Sequence, residues 1–388
     1  MSIKLLYLIP SLKNSGGMER VLTDKVNYLI RTGCYDVTIV TTDMKDGEKP
    51  FYNLNSKVII VNFEIFFNNI FNLPLIEKIK KSKILLNIYK EKLECYILKN
   101  GIDICISMGA KELEFFSKLK LPVIKIFESH FNPTVRSSFI SDHKGNSFVW
   151  RLIGKYRDWQ YRQQTKKLDQ IVVLTKSAEL EWKKTHSHIK VINNPSPFIP
   201  VDKIDYFENK RVIAIGRLED QKGYDLLIDC WKKVYHHYPD WKLDIYGEGT
   251  RKNKLAEMIK KNNLQEAIHL KGITKDVQKE LLLSDFFVMS SRYEGLPMVL
   301  LESIACGLPI VSFDCPTGPA EIIENNDCGV LVRNGDVHDL GLNIIKMIEN
   351  RQQRFMMSKN ALEKTKKYSI EKIMLEWDQL FVSLMYIK

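Results

Sequence analysis

The chain has 388 residues, 45% of them hydrophobic and 27% charged, which suffices for two domains with separate cores. No window approaches the ~20 apolar residues of a membrane span, which excludes an integral membrane helix. The formal net charge of +11 sits in one half: residues 1–195 hold 31 Lys and Arg against 19 Asp and Glu, and residues 196–388 hold 27 against 28.

The opening "MSIKLLYLIPSL" has an apolar run but no small-residue cleavage site, so it reads as a first strand and not a signal peptide. A cytoplasmic location is the expectation. "IKLLYLI" (3–9) is continuously apolar, as expected of a parallel strand covered on both faces. It leads through "PSLKNSGG" into a helix from about Met18 to Arg31, with Val21, Leu22, Val26 and Leu29 at helical spacing. Further strands are predicted at 35–42, 56–63, 103–109, 122–129, 170–175 and 189–195. The pattern then restarts, with strands at 211–217, 241–247, 267–272, 285–291, 309–314 and 329–332 and helices between most of them.

Alternation of this kind implies two α/β domains, each a Rossmann-like parallel sheet with right-handed crossovers, facing across a cleft. The Pro-rich "NNPSPFIPVDKID" (193–205) is the best linker, giving domains at 1–195 and 196–369. A final helix from about Ile370, in a segment 370–388, has no strand after it and is expected to pack at the domain junction. The seven cysteines (34, 95, 105, 230, 306, 315 and 328) include no Cys-x-x-Cys pair, so buried free thiols are expected.

Two segments of the second half carry chemistry. In "AIGRLEDQKGYDLLIDCW" (214–231) a strand ends at Gly216, a loop holds Arg217 and Lys222, and a helix starts after Gly223. Two cations beside a helix N-terminus, at the carboxyl end of a parallel strand, suit a diphosphate. An ordinary loop with solvated basic residues is the other reading. In "SSRYEGLPMVLLESIACGLPIV" (290–311) Gly295 frees the backbone and Pro297 suits a first helical turn. The N–H groups of Leu296, Met298 and Val299 are then available to an anionic oxygen. Glu302 follows Glu294 by eight residues, just over two helical turns, which would return it to nearly the same face. A carboxylate there suits the vicinal hydroxyls of a ribose. Alternatively, Glu294 is a loop charge and Glu302 a solvated helix position.

The Glu-x7-Glu motif, with "GRLEDQKG" before it, resembles the retaining glycosyltransferases of the GT-B fold, family 4. The segment "SLKNSGGMERV" (11–21) is similar to that family's glycine loop, and "DCPTGPAEII" (314–323) to its bacterial polysaccharide branch. The motifs run in family order across nearly the whole chain. The resemblance implies that Arg217 and Lys222 bind the donor diphosphate and that Glu302 takes the ribose hydroxyls. Glu294 would contact the donor sugar, with Gly295, Leu296, Met298 and Val299 bracing sugar and phosphate. Gly16 and Gly17 would let their loop approach the phosphate and acceptor, and His130 in "FESHFNP" would lie close to the sugar. Read without the family, His130 is better taken as a hydrogen-bonded structural histidine. The implied substrates are a nucleotide sugar, UDP-linked, and a glycan or polyprenyl-diphosphate-linked acceptor, as in capsule, exopolysaccharide or O-antigen synthesis. No Asp-x-Asp occurs, so no metal and no other cofactor is expected. Cations would stabilise the departing diphosphate in a metal's place.

Two basic stretches, 63–100 and 131–167, interleave apolar and cationic residues. The second holds Phe139, Phe148, Trp150, Trp159 and Tyr161 with Arg136, Arg151, Lys155, Arg157 and Arg162. Helices lying on an anionic bilayer would look like this, as would amphipathic helices packed on a sheet. For residues 76–99 the packed helix is at least as good a reading, and the positive excess of this half adds peripheral association with the inner face of the plasma membrane as a hypothesis beside the cytoplasmic location. A dinucleotide-dependent oxidoreductase is disfavoured because "SGGMER" breaks the Gly-x-Gly-x-x-Gly spacing. A nucleic-acid binder is disfavoured by the lack of a zinc-finger or RNA-binding signature. A nucleotide-sugar-binding protein without turnover is the remaining alternative, which only activity separates from an enzyme.

Overall fold

The computed structural model describes residues 2–137, 140, 147–200, 208–325 and 327–387. Phe139 and the end of the expected linker, residues 201–205, lie outside the described residues. The chain divides into two compact units, Met1–Asn193 with Ile370–Lys388, and Asn194–Ser369.

The first unit is built on a seven-stranded sheet: β1 (Ile3–Ile9), β2 (Tyr35–Thr41), β3 (Ile59–Asn62), β4 (Ile104–Ser107), β5 (Ile124–Ser129), β6 (Gln170–Val173) and β7 (Ile189–Val191). Their spatial order is β3-β2-β1-β4-β5-β6-β7, and every pairing is parallel. Side chains of a strand alternate between faces. On β1, Leu5, Tyr7 and Ile9 enter one core, and Leu6 and Leu8 enter another. Both faces are therefore dry, which is why this strand reads as an unbroken apolar run.

The first of those cores is closed by the helix Gly17–Thr32 and by the C-terminal helix Ile370–Ile387. The latter contributes the buried Ile373, Met374, Trp377 and Phe381 to it. Burying each such large side chain contributes about 1.5–3 kcal/mol. The Tyr35 hydroxyl also donates to Asp378 Oδ1. The last helix of the chain thus belongs to the first unit, and the chain crosses back to it after the second.

The second unit holds a six-stranded sheet: β8 (Arg211–Ile215), β9 (Lys242–Tyr246), β10 (Ile268–Gly272), β11 (Phe286–Met289), β12 (Ile310–Asp314) and β13 (Gly329–Arg333). Its order is β10-β9-β8-β11-β12-β13, again all parallel. These are two Rossmann-like parallel-sheet domains. Of the cysteines, Cys34 and Cys95 are exposed, contrary to the expectation of burial for all seven; both lie outside the sheet cores.

Each basic stretch contains a helix that exposes several of its apolar residues. In the helix Phe148–Thr165 the buried positions are Gly154, Asp158, Tyr161 and Thr165. Phe148, Val149, Leu152, Ile153, Tyr156 and Trp159 are exposed, beside exposed Arg151, Lys155 and Arg157. The helix Leu75–Asn100 buries Tyr89, Leu93 and Ile97 in its second half, while Leu75, Ile76, Ile79 and Ile84 of its first half are exposed. Among the described residues no helix is long and apolar enough to cross a membrane.

Candidate functional site

In an open parallel sheet a crevice forms where adjacent strands send their connections to opposite sides. In the second sheet that point lies between β8 and β11, which pair directly. The two segments singled out in the sequence are the loops that leave the carboxyl ends of these two strands.

The loops are tied to each other. Ser290 Oγ donates to the Lys222 carbonyl at 2.9 Å, and the Arg292 N–H donates to the Gln221 carbonyl at 2.8 Å. Gln221 Nε2 returns a bond to the Tyr293 carbonyl at 2.9 Å. The Arg292 guanidinium bonds the Asp220 carbonyl at 2.6 Å and forks onto Asp225, with Nη2 2.7 Å from Oδ2. Burial pushes the Asp225 carboxyl up, but the hydrogen bonds and charge of Arg292 outweigh this and hold it below the ordinary carboxylate range. Gly223 has φ +63°, and a Cβ on it would collide with the Ser290 carbonyl oxygen. Only glycine admits both the backbone conformation and this approach.

This framework sets Lys222 against Glu294. Nζ stands 2.6 Å from Oε1, in a mostly buried pair. The cation expected at a diphosphate and the carboxylate expected at a sugar are therefore in direct contact. A third segment, the loop after β12, pins the turn that holds Glu294. Thr317 Oγ1 donates to the Glu294 carbonyl, and a Cβ on Gly318, at φ +96°, would collide with Pro297 and the Gly295 carbonyl.

The helix Met298–Ala305 begins one residue later than the sequence suggests. Pro297 is its N-cap, at φ −70° and ψ 107°, and is not part of the first turn. The N–H groups of Met298 and Val299 stand in the first turn, which has no intrahelical acceptor, and that of Leu300 bonds the Pro297 carbonyl at 3.0 Å. The reading that Glu294 and Glu302 share a helical face is corrected. Residues 294–297 are not helical: Leu296 precedes a proline, which disfavours the helical region, and Pro297 itself is extended at ψ 107°. Glu302 is half-buried on the helix and Glu294 sits in the turn before it. Arg217, two residues past β8, is exposed.

The remaining expected site residues belong to the first unit. Gly16 caps the helix Gly17–Thr32, and Gly17 is its first residue. Their loop leaves β1, which pairs with β4 at the switch point of that sheet, and Tyr52 Oη donates to the Ser15 carbonyl at 3.2 Å. His130 follows β5 directly and is buried. Among the described residues its Nε2 has no hydrogen-bond partner, and Glu128 Oε1 lies 3.5 Å away. Residues missed at the sequence level are Lys25 and Glu128, which pair at 2.6 Å, and Arg292, Asp225 and Thr317 around the second-unit loops. Lys25 did leave a signal: it is a charge lying on the apolar stripe of its helix, between Leu22 and Leu29.

Residues 202–364 match the family described as glycosyl transferases group 1. The amylovoran biosynthesis glycosyltransferase AmsD of Erwinia amylovora is 31% identical over 390 residues, covering 97% of this chain and 99% of that protein. Among solved structures, sucrose-phosphate synthase from Thermosynechococcus elongatus superposes with a TM-score of 0.81 at 15% identity, over the full length of both chains. A TarM variant from S. aureus, in complex with fondaparinux, alpha-GlcNAc-glycerol and UDP, superposes with a TM-score of 0.75. It is 20% identical and the match covers 98% of this chain and 99% of that one. The chain belongs to the group 1 glycosyl transferases, of the GT-B type.

Proposed function

We propose that the enzyme is a retaining, family 4 transferase that moves a hexose or hexosamine from a UDP-sugar to a growing bacterial glycan, without a metal or other cofactor. The observation that carries this is the Lys222–Glu294 pair at the switch point of the second sheet. A cation and a carboxylate in contact match the junction of a sugar and its phosphate, where an anionic group meets a row of hydroxyls. That AmsD serves amylovoran biosynthesis and that TarM is seen with UDP support the choice of glycan and donor.

In this reading Glu302 accepts the ribose hydroxyls, and Glu294, braced by the backbone of Gly295 and Leu296, accepts those of the sugar. As the bond from the anomeric carbon to the phosphate oxygen breaks, negative charge gathers on the diphosphate. Arg217, Lys222 and the N–H groups of Met298 and Val299 oppose that charge. The acceptor hydroxyl attacks from the face the phosphate is leaving, its proton passes to a phosphate oxygen, and the configuration is retained. Gly16 and Gly17 are proposed for the phosphate and acceptor, and His130 for the sugar.

The outward-facing apolar and basic residues of the helices Leu75–Asn100 and Phe148–Thr165 fit an acceptor held on a polyprenyl diphosphate at an anionic membrane surface. A thermal-shift screen against UDP-, GDP- and ADP-sugars tests the donor. UDP and UDP-sugars are expected to raise the melting temperature, and a panel in which none does so removes the assignment.

A further inference from the structure

The first unit buries a full set of charges that the transfer chemistry described above leaves unused. Lys25 lies on the core side of its helix and is completely buried. Its Nζ is 2.6 Å from Glu128 Oε2 and sits over the ring of Trp377, 3.7 Å from the centroid, with the Tyr7 ring at 5.6 Å. The other Glu128 oxygen, Oε1, is 3.5 Å from His130 Nε2. Glu128 Oε1, His130 Nε2 and the Tyr7 hydroxyl are all buried with no hydrogen-bond partner among the described residues. Four separated elements converge here: β1, the helix Gly17–Thr32, β5 and the C-terminal helix.

Stability does not explain this arrangement. Desolvating two ions largely cancels their attraction, and an apolar pair of the same shape is often at least as stable. An ionised carboxylate beside an imidazole does have a specific effect: it decides which ring nitrogen carries the proton. A neutral ring with its proton on Nε2 leaves Nδ1 as an acceptor.

We propose that Lys25 and Glu128 are positioning residues for His130: Lys25 Nζ fixes the Glu128 carboxyl group beside the ring, and that carboxyl group holds the imidazole as the Nε2–H tautomer. Nδ1 is then offered to a hydroxyl of the sugar or acceptor. Trp377 closes the ammonium off from water, so the C-terminal helix takes part in setting the state of His130. Burial lowers the basicity of His130, Glu128 raises it and Lys25 lowers it, so the ring is neutral near pH 7. Tyr7, whose ring also faces the ammonium, is held protonated by burial, by Glu128 and by Tyr35. The proposal rests on the reading of His130 as a donor-site residue, but the tautomer itself is measurable without it.

The test is nitrogen-15 NMR of the full-length protein labelled at histidine, with His130 assigned through His130→Gln. The wild type is expected to show the Nε2–H form alone. The double variant Lys25→Met, Glu128→Gln removes both charges while keeping the buried volume, so it is expected to fold. It should show mixed tautomers, with kcat lower by about tenfold or more and the donor KM changed far less. A wild type in the Nδ1–H form, or a double variant that keeps a pure Nε2–H ring, overturns the proposal. A loosened tautomer with unchanged kcat overturns the positioning role. If the wild type consumes no nucleotide sugar at all, the functional reading fails on its own, while the tautomer still decides the network.

Discussion

Replacing Lys222 by methionine should separate the structural role of its ion pair from the chemical one. Lys222 and Glu294 have side-chain exposures of 17% and 8%, so removing one partner strands a largely buried charge. Breaking a fully buried pair costs about 3–5 kcal/mol, and the residual solvent contact here brings the expected loss to roughly 2 kcal/mol. For a unit of this size that corresponds to a fall of about 4–8 °C in the unfolding transition. Activity should fall further, by about 10²–10³ in kcat, because the cation opposing charge on the leaving diphosphate is gone. The double variant Lys222→Met, Glu294→Gln leaves neither charge unpaired, so its stability should recover while its activity does not. Calorimetry and UDP release, measured on all four proteins of the cycle, decide the matter. Recovery of kcat in the double variant, or an unimpaired Lys222→Met, would refute a direct role for Lys222 at the diphosphate.

Glu302→Ala should weaken UDP binding by about 10- to 100-fold, the loss of hydrogen bonds to a charged acceptor, as read by titration calorimetry. An unchanged affinity removes its ribose role. The Asp225–Arg292 fork has a signed pH dependence: Asp225 is depressed in the fold, so its contribution is full above the unfolded carboxyl pKa of about 3.9 and is lost as pH falls through the lower folded value. Asp225→Asn should therefore melt below the wild type at pH 7 and level with it at the acid end, and a constant difference across pH contradicts the reading. Flotation with anionic vesicles should carry the protein at low salt, less so at high salt, and less so again after Leu152→Ser with Trp159→Ser. A protein that stays with the soluble fraction at low salt rules out membrane docking through these helices.

The sheets were legible because parallel strands covered on both faces read as short apolar runs, and all thirteen expected runs contain a strand. The two loops of the second unit were legible because their charges sit at fixed offsets from those runs. What escaped was geometry that local spacing does not encode. The eight-residue offset from Glu294 to Glu302 suggested one helical face, but the helix begins only at Met298, after an extended Pro297. That Lys222 would meet Glu294 depended on β8 and β11 being neighbours, a matter of strand order and not of separation in the chain. Lys25 was passed over although it is a charge on an apolar stripe, and its partners Glu128 and Trp377 are brought to it by β5 and by a helix from the far end of the chain. Long-range pairing of buried charges leaves only one mark in a sequence, the charge in the wrong place.

The central claim is transfer from a nucleotide sugar with retention, and the most direct measurement is NMR of the anomeric product formed from a UDP-sugar in the presence of EDTA. The expected result is steady consumption of the donor, with a product whose anomeric configuration matches it. An inverted product, or a UDP-sugar left intact by the wild-type protein beside an active acceptor, would contradict the proposed function.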